Sequence, residues 1–157
     1  MKKLLLLGIF IVGALNAQAQ ARIGGNLVYG TEIEDLGIGV NGEFFIQDNL
    51  AVAPGFNYYF ADDPVTFWEF NANVHYYFSE SNAISVYALG GLNLAHIAID
   101  FDSPFIDDRD DNELGVNLGI GANFDIQSSV TPFADFRFVL SDYDQAVFTF
   151  GLRFDLN

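Results

Sequence analysis

The stretch LGVNLGIGANFDI, residues 114–126, alternates without a break. Leu114, Val116, Leu118, Ile120, Ala122, Phe124 and Ile126 fall on one side; Gly115, Asn117, Gly119, Gly121, Asn123 and Asp125 fall on the other. A period of two is the signature of a β-strand with two unlike faces, whereas a helix would repeat apolar residues at spacings of three and four. TFWEFNANVHYYF, residues 66–78, repeats the pattern, with Trp68, Phe70, Ala72, Val74, Tyr76 and Phe78 set against Glu69, Asn71, Asn73, His75 and Tyr77.

Extending the same rule in both directions gives eight strands: 21–30, 37–46, 50–60, 66–78, 83–99, 114–126, 130–140 and 145–156. Each is as long as the roughly 9 to 11 residues a tilted strand needs to cross a bilayer. The connections alternate in character. QDN, SESN and QSS are short, while TEIEDL, ADDPV, SDYD and the long segment containing DSPFIDDRDDNE, residues 102–113, are acidic. Gly90 and Gly91 mark a place where a bulge would flip the faces of the fifth segment. The direction of Asn93 and His96 therefore stays open. Pro54 and Pro132 lack a ladder donor and are expected at edges, bulges or strand starts.

Alternation alone does not say which face meets water. The apolar face carries Phe44, Phe56, Trp68, Phe70, Phe124, Phe136, Phe138, Phe148, Phe150 and Phe154, among others. The interior of an eight-stranded barrel is just wide enough for side chains or one small ligand, so these rings do not fit inside. The opposite face is rich in Gly and Asn, including Gly24, Asn26, Asn41, Asn57, Asn71, Asn73 and Asn117, which suits a narrow hydrogen-bonded lumen. Apolar-out and polar-in is the rule for membrane barrels. A sheet in lipid must also close on itself, because lipid cannot satisfy an open edge. The expected fold is therefore all-β, an eight-stranded antiparallel up-and-down transmembrane β-barrel.

The first residues, MKKLLLLGIFIVGALNAQAQA, have Lys2 and Lys3, an apolar run from Leu4 to Leu15, and small residues at Ala17 and Ala19. That pattern reads as a cleaved signal peptide over 1–19, with Ala21 as the alternative cleavage point, followed by a barrel domain over 20–157. Beyond the leader there are four Arg and no Lys against 21 acids, a formal charge of −17. Such a surface repels phosphate backbones and argues against a nucleic-acid partner. With no Cys in the chain, disulfides play no part in its stability.

An even strand number returns both termini to one side, the periplasm for an exported chain. Fourteen of the 21 acids then fall on connections facing out of the cell. Tyr29, Tyr58, Phe60 and Trp68 are placed as an interface girdle at the outer rim, and Tyr76, Phe78 and Phe154 at the inner one. The inward charges are Arg22, Glu43, Glu69, Asp125, Asp135, Arg137, Arg153 and Asp155, with His75 among them. Buried charge is tolerable only when paired and hydrogen-bonded. A lumen filled by these groups is therefore expected, with a narrow pore or small-ligand transporter as the alternative.

Taken together, the chain resembles the small eight-stranded outer-membrane barrels of Gram-negative bacteria, the OmpA/OmpX-type, porin-like family, over essentially its whole mature length. The best local likeness is TFGLRFDL, 149–156, which is similar to the C-terminal assembly signal of such barrels in Thr149, Gly151, Phe154 and Leu156. The chain departs from that signal in ending on Asn157 instead of an aromatic residue. That likeness implies handling by the barrel-assembly machinery; outer-membrane lipid and lipopolysaccharide are the expected surroundings, and a monomer the expected state. Some related barrels modify lipid A with a His, Ser and acid set. Here HIAID, 96–100, has no hydroxyl two residues after His96, so catalysis is not expected. No cofactor or metal is expected either. Counting an EF-hand loop from Asp108 puts Glu113 where that loop needs Gly, so the acidic stretch reads as a solvated rim, with loose divalent bridging to lipopolysaccharide as a lesser alternative.

Overall fold

The computed structural model describes residues 20–99, 109–142 and 144–156. The leader read over 1–19 lies outside the described residues, as do Asp102, Asp107 and Asp108 of the acidic stretch. Eight strands follow one another: β1 (Ala21–Gly30), β2 (Asp35–Gln47), β3 (Leu50–Tyr59), β4 (Val65–Glu80), β5 (Ile84–Ile99), β6 (Arg109–Phe124), β7 (Val130–Leu140) and β8 (Gln145–Asp155). Each pairs antiparallel with its chain neighbour, and β8 pairs with β1 from Arg22↔Asp155 to Gly30↔Val147, so the sheet is a closed barrel with no edge. Leu156 N donates to Ala21 O at 2.9 Å, holding both described ends of the chain at one mouth. This is the terminal mouth; the opposite one carries the acidic connections and is the loop mouth.

Alternation fixes the two sides of the wall. Ile23, Leu27, Val40, Phe56, Phe70, Leu92, Leu118, Phe138, Phe150 and Phe154 point outward and are exposed. In water such a surface would drive association; facing lipid it loses nothing. Inside are Asn26, Asn57, Asn71, Asn73, Asn93, Asn117 and Asn123, all buried, interleaved with glycines that let the wall close tightly.

The structure departs from the periodic reading in four places. First, β6 starts at Arg109, five positions before Leu114, and pairs with β5 without a break from Ile84↔Phe124 to Ile99↔Arg109. Asp110, Asp111 and Glu113 thus stand on a strand rather than in a loop. Because β6 pairs with β7 only as far as Val116↔Leu140, this end of the β5–β6 hairpin rises above its β7 neighbour. Second, Gly90 and Gly91 hold a continuous register with both neighbours, so no bulge flips the faces of β5. Asn93 faces the lumen and His96 the outside, where it stacks on Trp68 at 4.9 Å. The irregularities lie instead at Phe45/Gln47 and Tyr77/Ser79, near the terminal-mouth turns.

Third, β6 ends at Phe124, so Asp125 leaves the wall: it is exposed, and its Oδ1 accepts from Gln127 N at 2.7 Å. Gln127 has φ 57°, a left-handed turn conformation, and the Asp125 side chain closes that turn in place of lining the lumen. Fourth, the prolines occupy gaps in the ladder. The β2–β3 pairing is interrupted between Asn41↔Gly55 and Phe44↔Val52, which brackets Pro54, and the β6–β7 pairing stops at Asn123↔Phe133, one residue short of Pro132.

The interior also holds two apolar layers. Val28, Tyr59, Phe67, Val139 and Val147 cluster toward the loop mouth, and Ala51, Tyr77, Tyr87 and Leu89 toward the terminal mouth. Tyr87 lies opposite Gly121 and covers it, since a Cβ there would come within 2.3 Å of the Tyr87 ring. This is the aromatic cover that a bare glycine in a strand accepts.

Candidate functional site

The polar interior is built around two carboxylates, both 0% exposed. Glu43 on β2 lies near the terminal mouth. It accepts from His75 Nδ1 at 2.9 Å and from the Tyr77 hydroxyl, and it pairs with Arg22 at 3.3 Å and Arg153 at 3.5 Å. Asn123 donates to the Tyr77 oxygen at 2.6 Å, and His75 stacks on Tyr87 with centroids 4.3 Å apart. Arg153 is clamped from the apolar side as well, its guanidinium 3.8 Å from the Phe133 ring centroid.

Glu69 on β4 lies deeper, toward the loop mouth. It pairs with Arg137 and accepts from Asn57 at 2.8 Å, Tyr59 at 3.1 Å, Asn71 at 3.2 Å and Asn93 at 2.9 Å. Arg137 also donates to Thr149 at 3.3 Å and stands 3.9 Å from Asp135. A carboxylate held by one guanidinium and four neutral donors meets the condition under which buried charge is tolerated.

An amide relay links the two centres. Arg153 Nε donates to Asn41, Asn41 to Asn26, Asn26 to Asn57, and Asn57 to Glu69, over distances of 2.8 to 3.0 Å. Each amide passes its hydrogen bond in the same sense, so the relay is a polarised chain running up the lumen. Asn117 braces the opposite wall by donating to Asn71 at 2.7 Å and Asn73 at 2.8 Å.

Of the nine groups assigned to the lumen, Glu43, Glu69, His75, Asp135, Arg137 and Arg153 meet in these two centres. Arg22 spans the terminal mouth between Glu43 and Asp155, 3.0 Å from the latter. Asp155 is 40% exposed and belongs to the mouth rather than to the interior. Asp125 takes no part. Alternation sets Tyr77 on the inner face; Tyr59, Phe67, Tyr87 and Phe133 also face the interior, and the signal that finds Tyr59 and Phe67 is the same parity, since Tyr58 and Trp68 beside them face outward. Thr149 and Gly151 face the lumen, and Phe154 and Leu156 lie exposed on the other face.

His75 faces Glu43 and Tyr87, and His96 Nδ1 donates to Asn112 Oδ1 at 2.9 Å while the ring stacks on Trp68. The interior is one of ion pairs and charge-assisted hydrogen bonds.

Three solved barrels share the architecture. The N-terminal barrel of OprF from Pseudomonas aeruginosa is 15% identical with a TM-score of 0.73, over 88% of this chain and 100% of that one. Ail, the attachment invasion locus protein of Yersinia pestis, is 14% identical with a TM-score of 0.64, over 88% and 97%. Neisserial surface protein A is 15% identical with a TM-score of 0.63, over 88% and 96%. At that level of identity the likeness is one of fold. No curated protein shows significant sequence similarity to the chain. The family model of the outer membrane protein beta-barrel domain matches residues 3–155. That match spans nearly the whole sequence, and the chain belongs to the outer membrane protein β-barrel family.

Proposed function

We propose that the protein is a non-enzymatic, non-conducting barrel of the bacterial outer membrane with a structural role in the envelope, its lumen closed by its own side chains. One observation carries the reading: the unbroken path from Glu43 through Arg153, Asn41, Asn26 and Asn57 to Glu69 and Arg137, in which the Glu43–Arg153, Arg153–Asn41, Asn26–Asn57 and Glu69–Arg137 links cross the barrel between strands that are not neighbours. The free space beside that path, bordered by Asn41, Asn73, Arg137 and Arg153, is about 40 Å³, room for a few waters and not for a hydrated ion column. An open lumen would require several of these charges to separate at once, each leaving an unpaired partner.

In this reading both termini are periplasmic and the acidic connections face outward, against lipopolysaccharide. The protein is a monomer in outer-membrane lipid, inserted by the barrel-assembly machinery through a last strand bearing Thr149, Gly151, Phe154 and Leu156. Planar-bilayer recording of the refolded protein tests the closed lumen. Electrical silence is expected, and steady single-channel current would overturn the proposal in favour of a pore.

A further inference from the structure

Above the Glu69 centre the loop mouth opens into a cup of about 180 Å³. Its wall is apolar, with Ile33, Phe67, Ala95, Ile97 and Val139 among the lining residues, although it faces the water side of the barrel. The β1–β2 turn helps to form it: Thr31 N donates to Ala146 O at 2.9 Å and Ala146 N to Thr31 Oγ1 at 3.0 Å, which folds Ile33 in against the Val28 and Tyr59 layer. Two carboxylates, Glu32 and Glu113, line the same cup. Gln145 lines it too; it is 6% exposed, and its Oε1 is a buried acceptor with no donor among the described residues. A buried acceptor left open costs free energy that an incoming N–H recovers.

We propose that this cup binds small amphipathic cations, an aryl or alkyl amine whose apolar body fills the pocket and whose ammonium donates to Gln145 Oε1 and pairs with Glu32 and Glu113. The size fits, since a dry apolar cavity of about 150 Å³ holds benzene. The charge fits as well, because a rim of one sign concentrates the opposite ion at its mouth. A free carboxylate ligand is disfavoured by both acids, and a bare divalent cation by the hydrocarbon wall. The site lies above the closed lumen and does not depend on whether the barrel conducts.

Fluorine NMR of 4-fluorophenethylamine with the full barrel refolded in lipid nanodiscs tests it, with empty nanodiscs as the blank. Saturable binding above the blank is expected for the amine, and none for 4-fluoroethylbenzene or 4-fluorophenylpropionate. Ala95→Phe and Val139→Phe fill the cup and abolish the signal. Glu32→Gln weakens it about three- to fivefold, the scale of a part-exposed ion pair. Gln145→Leu, which keeps the bulk and removes the acceptor, weakens it about fivefold. Uptake of the amine no greater than by empty discs would overturn the proposal. So would equal binding of the carboxylate probe, or unchanged amine binding in filled-cup variants that still show the folded barrel's gel mobility. Should the filled-cup variants not fold, Glu32→Gln and Gln145→Leu decide, and wild-type affinity in both refutes the site.

Discussion

Removing the Glu69–Arg137 pair from both sides should cost far less than the two single removals added together. Arg137→Met leaves Glu69 charged, fully buried and without a cation. Loss of one partner of a buried pair costs about 3 to 5 kcal/mol, and the lower end applies here, because Asn57, Tyr59, Asn71 and Asn93 still donate to the carboxylate. Glu69→Gln leaves Arg137 with Thr149 at 3.3 Å and Asp135 at 3.9 Å, a partial substitute, for a cost of roughly 2 kcal/mol. In the double variant no charge is orphaned and the Gln amide oxygen still takes bonds from the Asn ring, so the loss should be about 2 kcal/mol instead of the additive sum of about 5, a coupling of about 3 kcal/mol. Trp68, the single Trp, sits on the outer wall beside Phe56 at 5.7 Å, and its fluorescence reports contact with lipid. Urea unfolding of the four proteins from lipid vesicles, followed through Trp68, measures the cycle. A coupling below about 0.5 kcal/mol would refute the ion pair as an organising element of the lumen.

Gly121→Ala drives a methyl into the Tyr87 ring and should destabilise the barrel by about 1 to 3 kcal/mol, with Tyr87→Val in the same chain recovering most of it; thermal unfolding in detergent checks both. Asp125→Ala alters one exposed turn and should shift stability by no more than about 1 kcal/mol, while Glu43→Ala, which orphans Arg153 and His75, should cost about 3 kcal/mol or more by the same assay. Since the chain has no Cys, single substitutions label without background. With periplasmic termini, Asp63→Cys should react with an impermeant maleimide on intact cells and Asp48→Cys should not, and the reverse pattern would invert the orientation.

How much was legible depended on which side chains had lipid beside them. The period of two located all eight strands because the bilayer selects an apolar residue at each outward position. Where lipid ends, that selection ends but pairing does not. On β6 the outward residue changes from Leu114, 67% exposed, to Asn112, which bonds His96 across the hairpin. Beyond that point the strand continues to Arg109 with no apolar alternation to announce it. At the other end, periodicity ran past the wall, since Ile126 keeps the apolar phase while Asp125 has already become a turn residue. The inward parity of Glu43, Glu69 and Arg137 follows from counting. Which donor meets which acceptor does not, because Arg137 and Glu69 are 68 positions apart and come together only when the sheet closes.

Closure also explains why the interior is charged. In lipid, the outward rings gain nothing by leaving their surroundings, so apolar burial does not distinguish the native closure from a shifted one. The lumen must supply the distinction. A slip of one residue would turn Glu43, Glu69, Arg137 and Arg153 toward hydrocarbon. A slip of two would keep them inside but separate Glu69 from Arg137 and break the Asn relay at each cross-strand step. The apolar layers at Tyr59 and Tyr87 tolerate such shifts better than directional hydrogen bonds do. The two buried carboxylates therefore carry the register of the barrel, and the Gly and Asn that crowd the inner face are the residues small enough and polar enough to let those carboxylates reach their partners.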